Sequence, residues 1–200
     1  MKNKILKITS LFLIGSSLVI NAQSFDQGQK DINIGVGIGN TYVSSNSSST
    51  SAGGSTTSNT VTPPLSGTFE FGVTDMISVG GFIGYTGSTW SYKYGNYEDK
   101  RVYSYYIFGA KGAFHFAKLI RAEKVDLYAG MTLGDVIEKE TYTTTNPAPG
   151  YNSTSTQQSG GGFLFLPFVG CRYRFTDNFG VFGELGYGLS LANIGINLKF

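Results

Sequence analysis

Apolar side chains recur at every second position through most of this chain, and no other feature constrains its fold as tightly. In DINIGVGIGN, residues 31 to 40, Ile32, Ile34, Val36 and Ile38 share one face, while Asn33, Gly35, Gly37 and Gly39 share the other. LSGTFEFGV repeats the pattern, with Leu65, Phe69, Phe71 and Val73 opposite Ser66, Thr68, Glu70 and Gly72. In ISVGGFIGYTG, Ile77, Val79, Ile83 and Tyr85 stay in phase, and Phe82 breaks onto the other face. Strict alternation is the signature of a strand with two unlike faces. The period predicts further strands at about 102 to 116, 125 to 136, 162 to 175, 180 to 187 and 193 to 200, eight in all.

The connections between these strands alternate in length. Residues 44 to 62, about 88 to 101 and about 138 to 161 form long connections, whereas Thr74 to Met76, Ala117 to Lys124 and Thr176 to Asn178 are short. Gly188 to Ala192 is a compact fourth connection on the long side. The stretch 44 to 62 holds 13 Ser or Thr in 19 residues and no charge, and residues 141 to 171 are also uncharged, so both read as polar, flexible loops. An antiparallel up-and-down β-barrel crossing an outer membrane has this asymmetry, with long loops outside and short turns in the periplasm.

Alternation alone leaves open which face is inside, because a soluble periplasmic barrel of the lipocalin kind has the same period. Composition bears on the choice. The chain carries 28 glycines and only 14% charged residues, and the face opposite the apolar one is mainly Gly, Ser, Thr and Asn. A water-facing exterior calls for many Lys and Glu, whereas small polar residues suit a narrow lumen. The few strand charges, Glu70, Lys111, Arg172, Glu184 and Lys199, fall singly on the polar face and come in both signs, as an interior charge network does. Aromatic residues collect at the strand ends. Tyr42, Tyr85, Trp90, Tyr92, Tyr103 and Tyr106 lie toward the long loops; Phe114, Phe116, Tyr173, Phe175, Phe179 and Phe200 lie toward the short turns. Two such groups predict aromatic belts at the two membrane interfaces.

The N-terminus predicts export. Lys2, Lys4 and Lys7 precede an apolar run from Ile8 to Ile20, and Asn21-Ala22-Gln23 follows. This is the pattern of a signal peptide, residues 1–22, cleaved after Ala22 to leave a barrel of residues 23–200. A helix of about 13 residues reaches roughly 20 Å, short of the roughly 30 Å hydrocarbon core.

Several chemistries are excluded or left without support. A formal charge of +2, with no basic run beyond Lys100-Arg101, gives no footprint for nucleic acid. The lone Cys171 cannot form an intrachain disulfide or a cysteine-based metal site. His115 is the only histidine, which rules out multi-histidine metal centres and leaves one candidate base. With Phe116 and Ala117 after it, His115 has no serine two positions on and reads as an interior polar filler. GVGIG at 35 to 39 mimics a nucleotide-binding loop but alternates with strand residues. No catalytic residue, cofactor or metal is expected.

The last eight residues, Asn193 to Phe200, resemble the C-terminal signal of bacterial outer-membrane barrels, with Asn193, Gly195, Leu198 and Phe200 filling its polar, glycine, hydrophobic and aromatic slots. YIFGAKGAFHF (106 to 116), VDLYAGMTLG (125 to 134) and VGCRYRFTDNFGVFGELGYG (169 to 188) are similar to the small outer-membrane β-barrel family of the outer membrane protein A and X type, loosely called porin-family proteins. The resemblance spans the mature chain. It implies an all-β, eight-stranded transmembrane barrel in the outer membrane of a Gram-negative bacterium, in contact with lipid and lipopolysaccharide and inserted by the barrel assembly machinery. It also implies an interior network to which Glu70, Lys111, Arg172 and Glu184 correspond, and a structural or surface-interaction role with a possible ligand at the loops. The alternatives are a small solute channel, a lipid-modifying enzyme or a soluble lipocalin-like barrel. Pro167 departs from a clean ladder, since a closed barrel offers no edge for a missing donor, and a bulge is expected there.

Overall fold

The computed structural model describes residues 25–43, 46–120, 124–145 and 154–200. The predicted signal peptide, residues 1–22, lies outside the described residues. Among the described residues, nine strands and one short helix follow in chain order: β1 Lys30–Asn40, β2 Ser47–Thr50, β3 Ser55–Gly72, β4 Ile77–Tyr94, β5 Tyr97–His115, α1 Ala117–Ile120, β6 Val125–Thr145, β7 Thr154–Arg174, β8 Phe179–Gly186 and β9 Ser190–Lys199. Each strand pairs antiparallel with its neighbour. The sheet closes because β1 bonds both to β9 and to β3. β1 lies against the lower half of β3, from Lys30↔Phe71 to Val36↔Leu65, and β2 against its upper half, from Ser47↔Asn59 to Thr50↔Thr56. The two are halves of one broken stave, so the barrel has eight staves, the number predicted.

Closure gives the alternation its physical meaning. Residues such as Ile34, Val79, Ile83, Phe108, Val169 and Ile194 stand exposed on the outer wall, while Asp31, Asn33, Glu70, Lys111, Arg172 and Asn197 are buried in the lumen. From Ile77 to Tyr85 the apolar face of β4 spans eight residue steps. At about 3.4 Å each and a tilt of about 40°, that is roughly 21 Å of height, close to the roughly 25 Å apolar band of a membrane barrel. Acyl chains solvate such a wall far better than water does. One charge departs from it: Asp135, exposed, pairs with Phe108 and Phe163 on the outer face.

Three expectations from the sequence need correction. First, most of the supposed long loops is β-structure. β4 and β5 run on to a two-residue turn, Gly95-Asn96, closed by the pair Tyr94↔Tyr97. β3 begins at Ser55, β6 reaches Thr145 and β7 starts at Thr154; residues 44, 45 and 146–153 lie outside the described residues. Ser and Thr runs with water on both faces have no apolar period, so the strands continued where the signal stopped. Gly95 takes φ 57°, the left-handed conformation that tight hairpin turns demand. Second, Pro167 causes no bulge and pairs in register with Met131. The β7–β8 ladder ends one residue lower, at Phe168↔Gly186, so the missing N–H falls where β7 no longer needs a donor on that side. The register shift lies instead between Thr62 and Leu65, around Pro63-Pro64.

The third correction concerns the belt at the long-hairpin end. Tyr85 and Tyr106 do sit on the outer wall, their rings 5.2 Å apart. Tyr42, Trp90 and Tyr103 instead border a cavity at the mouth of the lumen. Tyr92 has the same parity along β4 as Trp90, and so shares the lumen-facing side of the strand. At the short-turn end Phe114 and Phe116 lie 5.0 Å apart, and Tyr173 and Phe175 5.2 Å apart.

Candidate functional site

The lumen is filled in layers, and β5 sets their order, since His115, Lys111, Ile107, Tyr105, Tyr103 and Arg101 share its inward parity from the short-turn end upward. The lowest layers are ionic. Arg172 is fully buried and reaches Glu70 at 3.2 Å, Asp31 at 3.3 Å and Asp126 at 3.4 Å. Arg174 bonds Asp31 at 3.1 Å. Lys111 lies 3.3 Å from Glu70 and also bonds Glu184. The four residues singled out from the sequence thus meet in one cluster. Asp31, Asp126 and Arg174 belong to it too and were missed, although each falls on the polar parity of its strand. Asp31 is two residues before Asn33, and Arg174 is two after Arg172. Lys199 sits opposite Asp31 at the half-buried rim.

Small residues make room for the large ones. Tyr128, 2% exposed, donates to Glu184 at 3.0 Å and lies under the Arg172 guanidinium, 5.2 Å from its ring centre. A β-carbon on Gly170 would come within 2.4 Å of the Tyr128 ring, so glycine is required there. Asn33, Asn197 and Thr68 complete the layer. Asn33 donates to Thr68 and Glu70, and Asn197 to Asp31 and Asn33.

His115 sits at the bottom of the network. Its Nδ1 is 2.8 Å from Asp126 and its Nε2 2.9 Å from the Ser78 hydroxyl. The serine comes from the neighbouring strand, which is why reading along β5 did not find it. Carboxylate, imidazole and hydroxyl stand in the order used by serine hydrolases. Here Ser78 is 1% exposed, Asp126 is shared with Arg172, and the imidazole is covered by Phe25, stacked at 3.8 Å with planes within 4°. The three groups form a buried polar relay that ties β4, β5 and β6 together. Phe25 is held there by the N-terminal segment, in which Gly28 donates to the Gly72 carbonyl and Gly72 to that of Gln29, both at 2.8 Å.

Above the ionic layers Phe82, Ile107, Leu166 and Leu189 pack into an apolar layer, with Tyr42, Val136 and Leu164 against it. Between the two lies a cavity of about 60 Å³ bordered by Lys111, Glu184, Phe82 and Leu166. That is room for a few waters.

The mouth is different. Above the apolar layer a cavity of about 610 Å³ opens outward, walled by Tyr42, Trp90, Tyr103, Tyr105, Arg101 and Asn59 among others. Tyr42 leans in because the chain leaves β1 through a turn made by Asn40, whose side-chain oxygen accepts from the N–H groups of Tyr42 at 3.0 Å and Val43 at 3.3 Å. The Tyr42 and Tyr105 rings are 5.1 Å apart, and Tyr105 donates to Glu138 at 3.1 Å. The Arg101 guanidinium lies over Trp90 and Tyr142, at 5.9 and 5.1 Å. A hydrogen bond with Tyr103 comes first among the contacts that push its pKa above the ordinary value. Among the described residues no group of three His, Cys, Asp or Glu is arranged to hold a metal ion.

No protein-family model matches this chain, and no curated protein matches it. Among solved structures it is similar to the attachment invasion locus protein Ail of Yersinia pestis, at 17% identity and TM-score 0.47, over 87% of this chain and 99% of that one. It is also similar to the outer membrane protein OprG of Pseudomonas aeruginosa, at 14% identity and TM-score 0.44, over 90% and 99%. A third is the N-terminal β-barrel domain of Pseudomonas aeruginosa OprF, at 15% and 0.40, over 87% and 98%. The closed pairing of this chain's own strands establishes its fold independently of them.

Proposed function

We propose that this chain is an outer-membrane barrel of a Gram-negative bacterium that conducts no solutes, catalyses no reaction, and serves as a rigid mount for a recognition surface on its long hairpins. One observation carries the reading. Below the mouth the lumen holds first the ion network and then the Phe82, Ile107, Leu166 and Leu189 layer, with a cavity of only about 60 Å³ between them. Eight staves leave an interior that side chains can fill, and here they do. The apolar outer wall supports contact with lipid, and the asymmetry between short turns and long hairpins supports a periplasmic short-turn end and an extracellular mouth facing lipopolysaccharide. Asn193, Gly195, Leu198 and Phe200 on and just after β9, the strand that closes the barrel against β1, serve in this reading as the signal to the assembly machinery.

Planar-bilayer recording of the purified protein tests the closed lumen. The expected trace shows no steady open state. Long-lived, sizeable openings that survive repurification would replace this reading with that of a solute channel.

A further inference from the structure

We infer that the mouth of the barrel binds an uncharged saccharide, stacked on Tyr42 and Tyr105 and hydrogen-bonded by the polar groups around them. The inference rests on the proposed surface role and names the ligand class of that surface.

Size comes first. A cavity of about 610 Å³, closed below by the apolar layer, lies within the range of roughly 300 to 1,000 Å³ typical of small-ligand sites. It is also a built site. The first stave is broken in two, and the break is spent on the Asn40 turn that carries Tyr42 and Val43 over the lumen and brings the Tyr42 ring to 5.1 Å from Tyr105.

The chemistry of the wall selects the ligand. Tyrosine and tryptophan rings offer flat apolar faces with polar rims. A pyranose matches them, with C–H groups on its faces and hydroxyls around its edge. Ser47, Asn59, Ser88 and Arg101 supply hydrogen-bonding groups on the same cavity wall. Charge bears on the competitors. Asp99, Glu138 and Glu140 have the inward parity of β5 and β6, against one cation of that parity near the mouth, Arg101. Among the described residues Arg101 is the one charged side chain on the cavity wall itself, so a sulfated or phosphorylated chain finds no cluster of cations there. For a cationic ligand, the Arg101 guanidinium over Trp90 and Tyr142 already places a positive charge among the rings at the mouth.

The chain supplies its own reporter, since Trp90 is its single tryptophan and it borders the cavity. The full-length mature barrel, folded in detergent micelles and checked by its heat-dependent gel mobility, is titrated while Trp90 emission is followed. The probes are neutral tri- to hexasaccharides of glucose, galactose, mannose, fucose and the N-acetylhexosamines, with a heparin-derived oligosaccharide and tetramethylammonium as charged comparators. The inference predicts a saturable emission change with at least one neutral oligosaccharide. It also predicts roughly tenfold weaker binding in Tyr42→Ala and in Tyr105→Ala, with gel mobility unchanged. Glu138→Gln, which keeps a hydrogen-bonding group for Tyr105, should retain binding. Silence across the neutral panel, tighter binding of either charged comparator, or undiminished binding in both tyrosine variants overturns the inference. In each case a folded, non-conducting barrel leaves the proposed function standing. Failure to fold into micelles or bilayers would instead remove that function as well.

Discussion

Replacing Arg172 by methionine asks the most of the ion network. The guanidinium is fully buried and bridges Glu70, Asp31 and Asp126 at 3.2 to 3.4 Å. Methionine keeps an unbranched apolar stem of similar reach above Tyr128 and deletes the charge. Removing one partner of a buried ion pair typically costs about 3–5 kcal/mol, because the other charge is left uncompensated. Each carboxylate here retains a second partner: Arg174 for Asp31, Lys111 for Glu70 and His115 for Asp126. The loss should therefore fall near the lower end, about 3 kcal/mol. Urea unfolding in lipid bilayers, followed by Trp90 emission, measures it. A cycle with Glu70→Gln should show coupling of about 1–2 kcal/mol, since Glu70 and Arg172 are in direct contact. A methionine variant within about 0.5 kcal/mol of the parent, or more stable, would show that the network does not hold the barrel together.

Three further outcomes follow from the same geometry. Phe25→Ala should cost about 3 kcal/mol, since a ring 1% exposed loses its stack on His115, and hydrogen exchange at the Ser78 and His115 amides should rise with it. Gly170→Ala should destabilise by about 1–3 kcal/mol in the same unfolding assay, because its methyl would collide with the Tyr128 ring. At the tip of the β4–β5 hairpin, Tyr97 donates to Asp99 at 2.7 Å, and this bond is the first cause pushing its phenol up to about 12. The Asp99 carboxyl is lowered: its slight burial opposes the shift, but hydrogen bonds from Thr144 and Tyr97 outweigh it. A lowered carboxyl stabilises above its unfolded pKa and stops doing so as pH falls through the folded value; a raised phenol is lost only as pH climbs through about 12. Amide protection at this tip should therefore stay flat from about pH 4 to 10 and decline on either side, as exchange measured by NMR can show.

The alternation at Ile32, Phe69, Ile83 and Phe108 gave away the barrel because a wall between lipid and a narrow lumen requires two chemically opposite faces. Where both faces meet water, as along residues 55 to 62 and 138 to 145, the period vanishes and the strands went unread. Glu70, Lys111, Arg172 and Glu184 were legible as isolated charges on the polar parity. Asp31, Asp126 and Arg174 obeyed the same rule, each within the first or last two residues of its strand. The mouth was obscured for another reason. Trp90 and Tyr103 were sorted by their distance from the strand end, but parity decides whether a ring meets lipid or lumen, and Trp90 is out of phase with Tyr85. The Ser78–His115–Asp126 relay spans three strands, so its register is a product of closure that no single segment encodes.

Cys171 gives the most direct test of which face is outside. It is the only cysteine, it is exposed, and it alternates with the buried Arg172 on β7. A nitroxide attached there, with the barrel folded into lipid bilayers, should relax readily with oxygen, which concentrates among acyl chains, and hardly at all with a water-soluble nickel chelate. Strong relaxation by the nickel chelate and little by oxygen would place Cys171 in water and contradict an apolar wall that meets lipid.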